Sequence, residues 1–100
     1  MDPKFTRYVI LLNDDKNKPT TREAVRAHVQ HLKILDKDKQ LVLCGPFTNY
    51  AGGMVIIKAK DLDEAKHIAE NDPFVRDGFR SYEVRELELS CEENNHMGMG

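Results

Sequence analysis

Two short segments of the chain are apolar at consecutive positions, and no other feature of the sequence constrains the fold as strongly. They lie at residues 5–13 (FTRYVILLN) and 54–59 (MVIIKA) and are rich in the aromatic and β-branched residues that favour strands. Successive side chains of a strand point to opposite faces, so each segment presents apolar groups on both faces. Such strands belong at the centre of a sheet that is packed on each side.

The rest of the chain alternates between helix and strand patterns. Periodicity and end signals predict a helix over residues 20–38 and a second helix that Asp61 caps and that stops before Pro73. Further strands are predicted over residues 41–44 and 80–89. The order β-α-β-β-α-β predicts an α+β, ferredoxin-like fold, in which two helices cover one face of a four-stranded antiparallel sheet. The first and third strands are central in that fold, and the charged fourth strand is typical of an edge.

Two helices leave the second apolar face of this sheet uncovered. We therefore expect a homodimer in which the uncovered faces pack together with two-fold symmetry. A higher oligomer is the alternative. The predicted domain spans residues 1–89. The polar residues 90–100 show no pattern and are predicted to form a mobile tail.

Composition narrows the classes of function. One hundred residues suffice for a single domain, and a net charge of -2 with scattered Lys and Arg does not favour nucleic-acid binding. No apolar run approaches the ~20 residues of a membrane span, and the first residues do not resemble a signal peptide. Cys44 and Cys91 lack CxxC spacing, so we expect reduced thiols, with Cys44 packed in the core. These features predict a cytoplasmic protein without a nucleic-acid or membrane partner.

Three local features carry specific predictions. Thr20 and Glu23 have capping-box spacing, which predicts that Thr20 caps the first helix. Gly52 and Gly53 are expected to supply positive φ in a hairpin connection. Apolar side chains change face within the fourth strand, which predicts a bulge near residues 85–86 or a strand end that leaves the sheet.

The first predicted helix carries a histidine beside its apolar stripe. The stripe consists of Val25, Val29, Leu32 and Leu35. At ~100° per residue, His28 falls roughly 40° from the centre of the stripe and His31 roughly 100°. His28 should point toward the sheet, where a titratable group needs a partner or a chemical role.

Taken singly, the candidate residues favour structural interpretations. A histidine beside an apolar stripe is most simply a satisfied core residue, and Asp72 before a proline is most simply a turn former. His28 and His31 lie three residues apart without the companion ligands of a known metal motif, so no metal site is predicted. Serine-nucleophile and nucleotide-binding motifs are not found, and no cofactor is predicted.

In combination, three motifs resemble the YciI-like (YCII-related) family. They are Arg26-Ala27-His28, Leu43-Cys44-Gly45-Pro46 and Asn71-Asp72-Pro73-Phe74, and the resemblance covers about residues 5–89. The resemblance implies a ferredoxin-like fold related to dimeric α/β-barrel proteins such as muconolactone isomerase.

The resemblance also implies a site. It places a catalytic His–Asp pair on His28 and Asp72, with Gly45 and Phe74 as substrate-binding candidates. One characterised relative is a dehydrochlorinase of a chlorinated hydroxyhydroquinone. A cofactor-free lyase, dehydrochlorinase or isomerase acting on an unidentified small molecule is the resulting expectation, because a carboxylate fixes the tautomer of the imidazole that moves the proton. Two alternatives stay open: a non-catalytic dimeric module that binds a small ligand or regulates a partner, and a purely structural His–Asp pair.

Overall fold

The computed structural model describes residues 2–100. The strands are β1 (Thr6–Asp14), β2 (Leu41–Pro46), β3 (Gly52–Ile57) and β4 (Arg80–Glu88). The helices are α1 (Arg22–Lys37), α2 (Leu62–Asn71), the single turn α3 (Pro73–Arg76) and the single turn α4 (Asn95–Gly98). Short 3-10 turns lie at Pro3–Phe5 and Glu92–Asn94.

The four strands form one antiparallel sheet in the order β2-β3-β1-β4, which confirms the predicted ferredoxin-like α+β fold. β1 and β3 lie at the centre, as their two-sided apolar segments predict. β1 is paired along its whole length with β4, from Thr6 opposite Glu88 to Asp14 opposite Arg80.

One face of the sheet holds the core. Alternate residues of the central strands are almost fully buried there against α1 and α2, whose own buried residues are mainly alanines. The strand residues concerned are Tyr8, Ile10, Leu12, Val55 and Ile57. Small helix residues let each helix approach the sheet closely, so the strand side chains fill the space between the layers.

The opposite face is less buried although it is also apolar. Val9, Leu11 and Ile56 are half-buried, while Leu43 is 51% exposed and Leu87 is 40% exposed. Helices α1, α2 and α3 pack on the other side of the sheet and leave this second face uncovered.

The predicted irregularity of β4 is wrong. Its register against β1 runs without a shift through residues 85–86, and Leu89 N–H still donates to the Phe5 carbonyl at 2.8 Å beyond the strand end. Leu87 simply points to the open face. The sheet has its bulge in β2 instead, where Leu41 and Leu43 pair with the consecutive residues Ile57 and Ile56.

Helix α1 begins one residue later than the capping box predicts. Thr21, not Thr20, is the N-cap, and its Oγ1 accepts from Ala24 N–H at 3.1 Å. The Thr20 hydroxyl is engaged elsewhere, because it accepts from Arg80 Nη1 at 2.6 Å. The cap predicted for α2 is confirmed, since Asp61 accepts from Glu64 N–H at 2.8 Å.

Gly52 and Gly53 are required for close packing rather than for positive φ. Both lie within β3, in contrast to the prediction. A Cβ added to Gly52 would lie 2.3 Å from the Leu12 carbonyl oxygen, and one added to Gly53 would lie 2.9 Å from the Gly45 carbonyl oxygen. The two glycines therefore let β3 approach its neighbours on both sides.

The C-terminal residues form short turns. Cys91 N–H donates to Asn94 Oδ1 at 3.1 Å, and Asn94 Nδ2 donates to the Leu89 carbonyl at 2.8 Å. The mobility expected of residues 90–100 stays a prediction. Among residues 2–100, no helix has both the length and the apolar character that crossing a bilayer would demand.

Candidate active site

A cleft of about 410 Å³ opens between α1 and the β2–β3 side of the sheet. Its lining is predominantly apolar and includes Val25 and Val29 of α1, which are 42% and 37% exposed. The apolar stripe of α1 is thus only partly packed on the sheet, and its N-terminal half forms one wall of the cleft. A volume of this size suits a small organic molecule.

His28 and Asp72 meet at the inner end of this cleft. His28 Nδ1 lies 2.9 Å and 2.8 Å from the two carboxylate oxygens of Asp72, so the pair expected from the sequence is adjacent in space. The side chain of Asp72 is 4% exposed and that of His28 is 13% exposed. The carboxylate is the buried partner, and the imidazole stands between it and the cleft.

Asp72 is held by the chain around it. It ends α2 with an extended backbone (φ -63, ψ 125) because Pro73 follows it. The same residue caps α3, where its Oδ1 accepts from Phe74 N–H at 2.9 Å. One carboxylate therefore serves a helix junction and orients the imidazole 44 residues away in sequence.

The second imidazole nitrogen of His28 faces the cleft. Because Asp72 accepts at Nδ1, the Nδ1–H tautomer is favoured and Nε2 is left as the free acceptor. Nε2 has no hydrogen bond to any residue from 2 to 100. Every buried side-chain nitrogen and oxygen in that range has a hydrogen-bond partner, so Nε2 is not a buried atom. Nε2 is therefore exposed to solvent, on a residue that lines the cleft.

Phe74 contacts both His28 and a further side chain, Arg80. The His28 and Phe74 rings stack with centroids 4.0 Å apart at 13°, and Arg80 Cζ lies over the same Phe74 ring at 4.5 Å. Phe74 is buried and lines the cleft. Sequence reasoning missed Arg80, since one arginine at the start of an edge strand has no local signal; only the β1–β4 pairing brings it to the cleft.

Two other predicted residues lie on the opposite wall. Gly45 lines the cleft, and a Cβ added there would meet no atom within 4 Å. Cys44 is exposed and lines the cleft as well, so its prediction as core packing is wrong. The β2 bulge directs Cys44 toward the helix side, beside the cleft rather than beneath a helix. Burial, with a smaller effect of Asp36, raises the pKa of the Cys44 thiol.

His31 lies one turn beyond His28 and does not line the cleft. Burial lowers its pKa, the Asp72 carboxylate opposes that effect, and His28 adds to it. Among the side chains of residues 2–100, no three His, Cys, Asp or Glu residues are grouped so as to hold a metal ion.

The geometry defines a ferredoxin-like α+β domain with a His–Asp pair at the inner end of an apolar cleft. The chain belongs to the YCII-related family, because the model of the YCII-related domain matches residues 6–88. The "Uncharacterized protein YjpA" of Bacillus subtilis (strain 168) is 32% identical over 82 residues, which are 82% of this chain and 96% of that protein.

A solved structure with the same fold is 5-chloro-2-hydroxyhydroquinone dehydrochlorinase (TftG) from Burkholderia phenoliruptrix AC1100, in complex with 2,5-dihydroxybenzoquinone. The match has a TM-score of 0.71 and 21% identity, and it covers 87% of this chain and 97% of that one. At this identity the likeness establishes the common fold.

Proposed function

We propose that the protein is a cofactor-free enzyme that moves a proton on a small organic substrate, with His28 as the acid/base and Asp72 as its orienting carboxylate. One observation carries the proposal: Nδ1 of His28 is held by a buried carboxylate while Nε2 opens into an apolar cleft. An imidazole enclosed on all sides would have favoured a purely structural pair.

The chemistry follows from this arrangement. His28 Nε2 removes a proton from a carbon or hydroxyl that a carbonyl or phenol activates, and Asp72 stabilises the imidazolium that forms. In an elimination, the electron pair left by the proton forms a new π bond and a halide leaves with its own electron pair. In an isomerisation, the imidazolium returns the proton to another atom of the same substrate.

The structural neighbour supports the substrate class. TftG is named as a dehydrochlorinase of a chlorinated hydroxyhydroquinone and was solved with a dihydroxybenzoquinone. The cleft of about 410 Å³ has room for a molecule of that kind. We therefore include Gly45, whose backbone borders open space, and Phe74 among the groups that contact the substrate.

The test begins with a screen for halide release and isomerisation on halogenated hydroquinones and unsaturated lactones. With any substrate found, His28→Asn and Asp72→Asn should each lower kcat by about 10²- to 10⁴-fold, the usual contribution of a general acid/base. Asp72→Asn keeps a side-chain oxygen that can cap α3, so loss of activity there would report on the charge.

His31→Asn is the matched control. It removes a half-buried histidine from the same helix, one turn away and outside the cleft, and should leave kcat within about twofold. Full activity of both His28→Asn and Asp72→Asn would refute the proposal. Tight binding of a screened compound without its conversion would instead identify a ligand-binding module.

We also propose that the protein forms a homodimer through the open face of the sheet. The support is the row of half-buried and exposed apolar side chains on β1, β2, β3 and β4 that the described helices do not cover. A C₂ pairing would bury this face against itself, and its expected disruption is described below.

A further inference from the structure

Arg80 differs from every other residue of the cleft wall in its charge. Among the lining residues that the structure describes, it alone is permanently charged, and no carboxylate is among them. The remaining polar side chains are His28 and Cys44. A cation in a mostly apolar cleft attracts a negative group more strongly than one on an open surface, since less water screens it.

The contacts of Arg80 leave one nitrogen of its guanidinium, Nη2, without a partner among residues 2–100. Nε pairs with Asp14 Oδ1 at 2.6 Å, and Nη1 donates to Thr20 Oγ1 at 2.6 Å and to the Phe79 carbonyl at 3.3 Å. Nη2 has no hydrogen bond to any residue from 2 to 100. Every buried side-chain nitrogen and oxygen in that range has a hydrogen-bond partner, so Nη2 is not a buried atom. Nη2 is therefore exposed to solvent and can donate to a ligand.

Phe74 contacts both the cation and the imidazole. The His28 ring centroid lies 4.0 Å and Arg80 Cζ lies 4.5 Å from the centroid of the Phe74 ring, so both groups stand beside the same ring. The Asp14 and Thr20 contacts prevent the guanidinium from swinging away. A small ligand in the cleft can therefore reach both groups.

We propose that Arg80 makes this a site for a small anion with an apolar body, whose negatively charged oxygen, an aryloxide or a carboxylate, accepts from Nη2 while the reacting atom lies at His28. This inference rests on the proposed function for the reaction and adds the charge of the substrate and the group that recognises it. The apolar body packs against Val25 and Val29, and Arg80 is a binding residue that does not itself transfer the proton.

Asp14 reduces this attraction without removing it. Its side chain is 36% exposed, so water screens the carboxylate, whereas that of Arg80 is 13% exposed. It also does not line the cleft. Asp14 therefore holds the guanidinium in place while competing weakly for its charge, and its removal should strengthen anion binding.

The test measures binding rather than turnover and uses two matched ligand pairs: 4-nitrophenolate with 4-nitrotoluene, and benzoate with benzamide. Wild-type protein should bind at least one anion about tenfold more tightly than its neutral partner, as expected for one charge-assisted hydrogen bond. Arg80→Gln should abolish this preference. Which pair shows it distinguishes the aryloxide from the carboxylate.

Two further variants separate recognition from folding. Asp14→Asn should increase the preference for the anion severalfold, an outcome that loss of a structural ion pair would not give. Arg76→Gln removes an exposed arginine of α3 outside the cleft and should leave the preference for the anion unchanged. Equal affinity of the wild type for anion and neutral partner would overturn the proposal, as would an anion preference that persists in Arg80→Gln or falls in Asp14→Asn.

The same measurements keep this inference distinct from the proposed function. His28→Asn should retain the anion preference, because the charge of Arg80 is unchanged. Anion recognition through Arg80 without conversion of any screened compound would refute the proposed enzymatic function and support the proposed anion site. Loss of turnover in His28→Asn with no effect of Arg80→Gln on binding would refute the anion site alone.

Discussion

The two faces of the sheet are built from alternate residues of the same strands and yet have different environments. Ile57 points toward the helices and is fully buried, whereas its neighbour Ile56 points away and is half-buried. Both are isoleucines, and they are the last two residues of β3. The difference shows that the contribution of an apolar side chain to the stability of this sheet depends on what covers it. The residue type alone does not determine that contribution.

The largest expected effect comes from truncating the covered member of this pair. Ile57→Ala should lower the free energy of unfolding by about 2–5 kcal/mol, because the helices close only partly over the cavity. Ile56→Ala, measured at a protein concentration low enough to favour monomers, should cost under about 1 kcal/mol. Equal losses for the two variants in urea denaturation would show that the faces do not differ as described.

A charge on the open face should act on assembly more than on folding. Ile56→Lys is expected to weaken the proposed dimer by about 100-fold or more, because it buries an unpaired ammonium group at the centre of the interface. Light scattering across a concentration series reports the change. Ile34→Lys, on an α1 residue that is 61% exposed, is the control. A wild-type protein that stays monomeric at micromolar concentration would contradict the dimer.

The smallest expected effect concerns the helix side of the covered face. Burial lowers the pKa of His31 in the folded protein below its ordinary value of 6.5. At pH values between these two pKa values, the unfolded chain therefore binds more protons at His31 than the folded protein does. Its contribution to stability therefore rises with pH through that window and is lost as the pH falls. His31→Gln should flatten the dependence of Tm on pH in that window.

Residue patterns predicted the fold because its strongest signals are local. The two-sided strands, the Asp61 cap and the proline after Asp72 each act within a few residues, and together they determine the order of elements and the central strands. Periodicity within α1 also placed His28 on the inner side. The adjacency of His28 and Asp72 came from the family resemblance, since periodicity says nothing about partners in another element.

The features that the sequence did not reveal depend on contacts between distant segments. Thr21 rather than Thr20 caps α1 because the Thr20 hydroxyl binds Arg80, 60 residues further along the chain. Cys44 lines the cleft because a bulge after Leu41 shifts the faces of β2, and the alternation of four residues cannot reveal a bulge. Arg80 reaches the cleft only through its pairing opposite Asp14.

The double use of the Asp72 carboxylate has a consequence for how such a site changes during evolution. Oδ1 caps α3 through Phe74 N–H while the carboxylate also holds His28, so the aspartate would be needed for folding even in a chain that no longer catalyses. The histidine carries no such second duty. In descendants that have lost the activity, we expect His28 to be replaced before Asp72, which is retained for its role in capping α3.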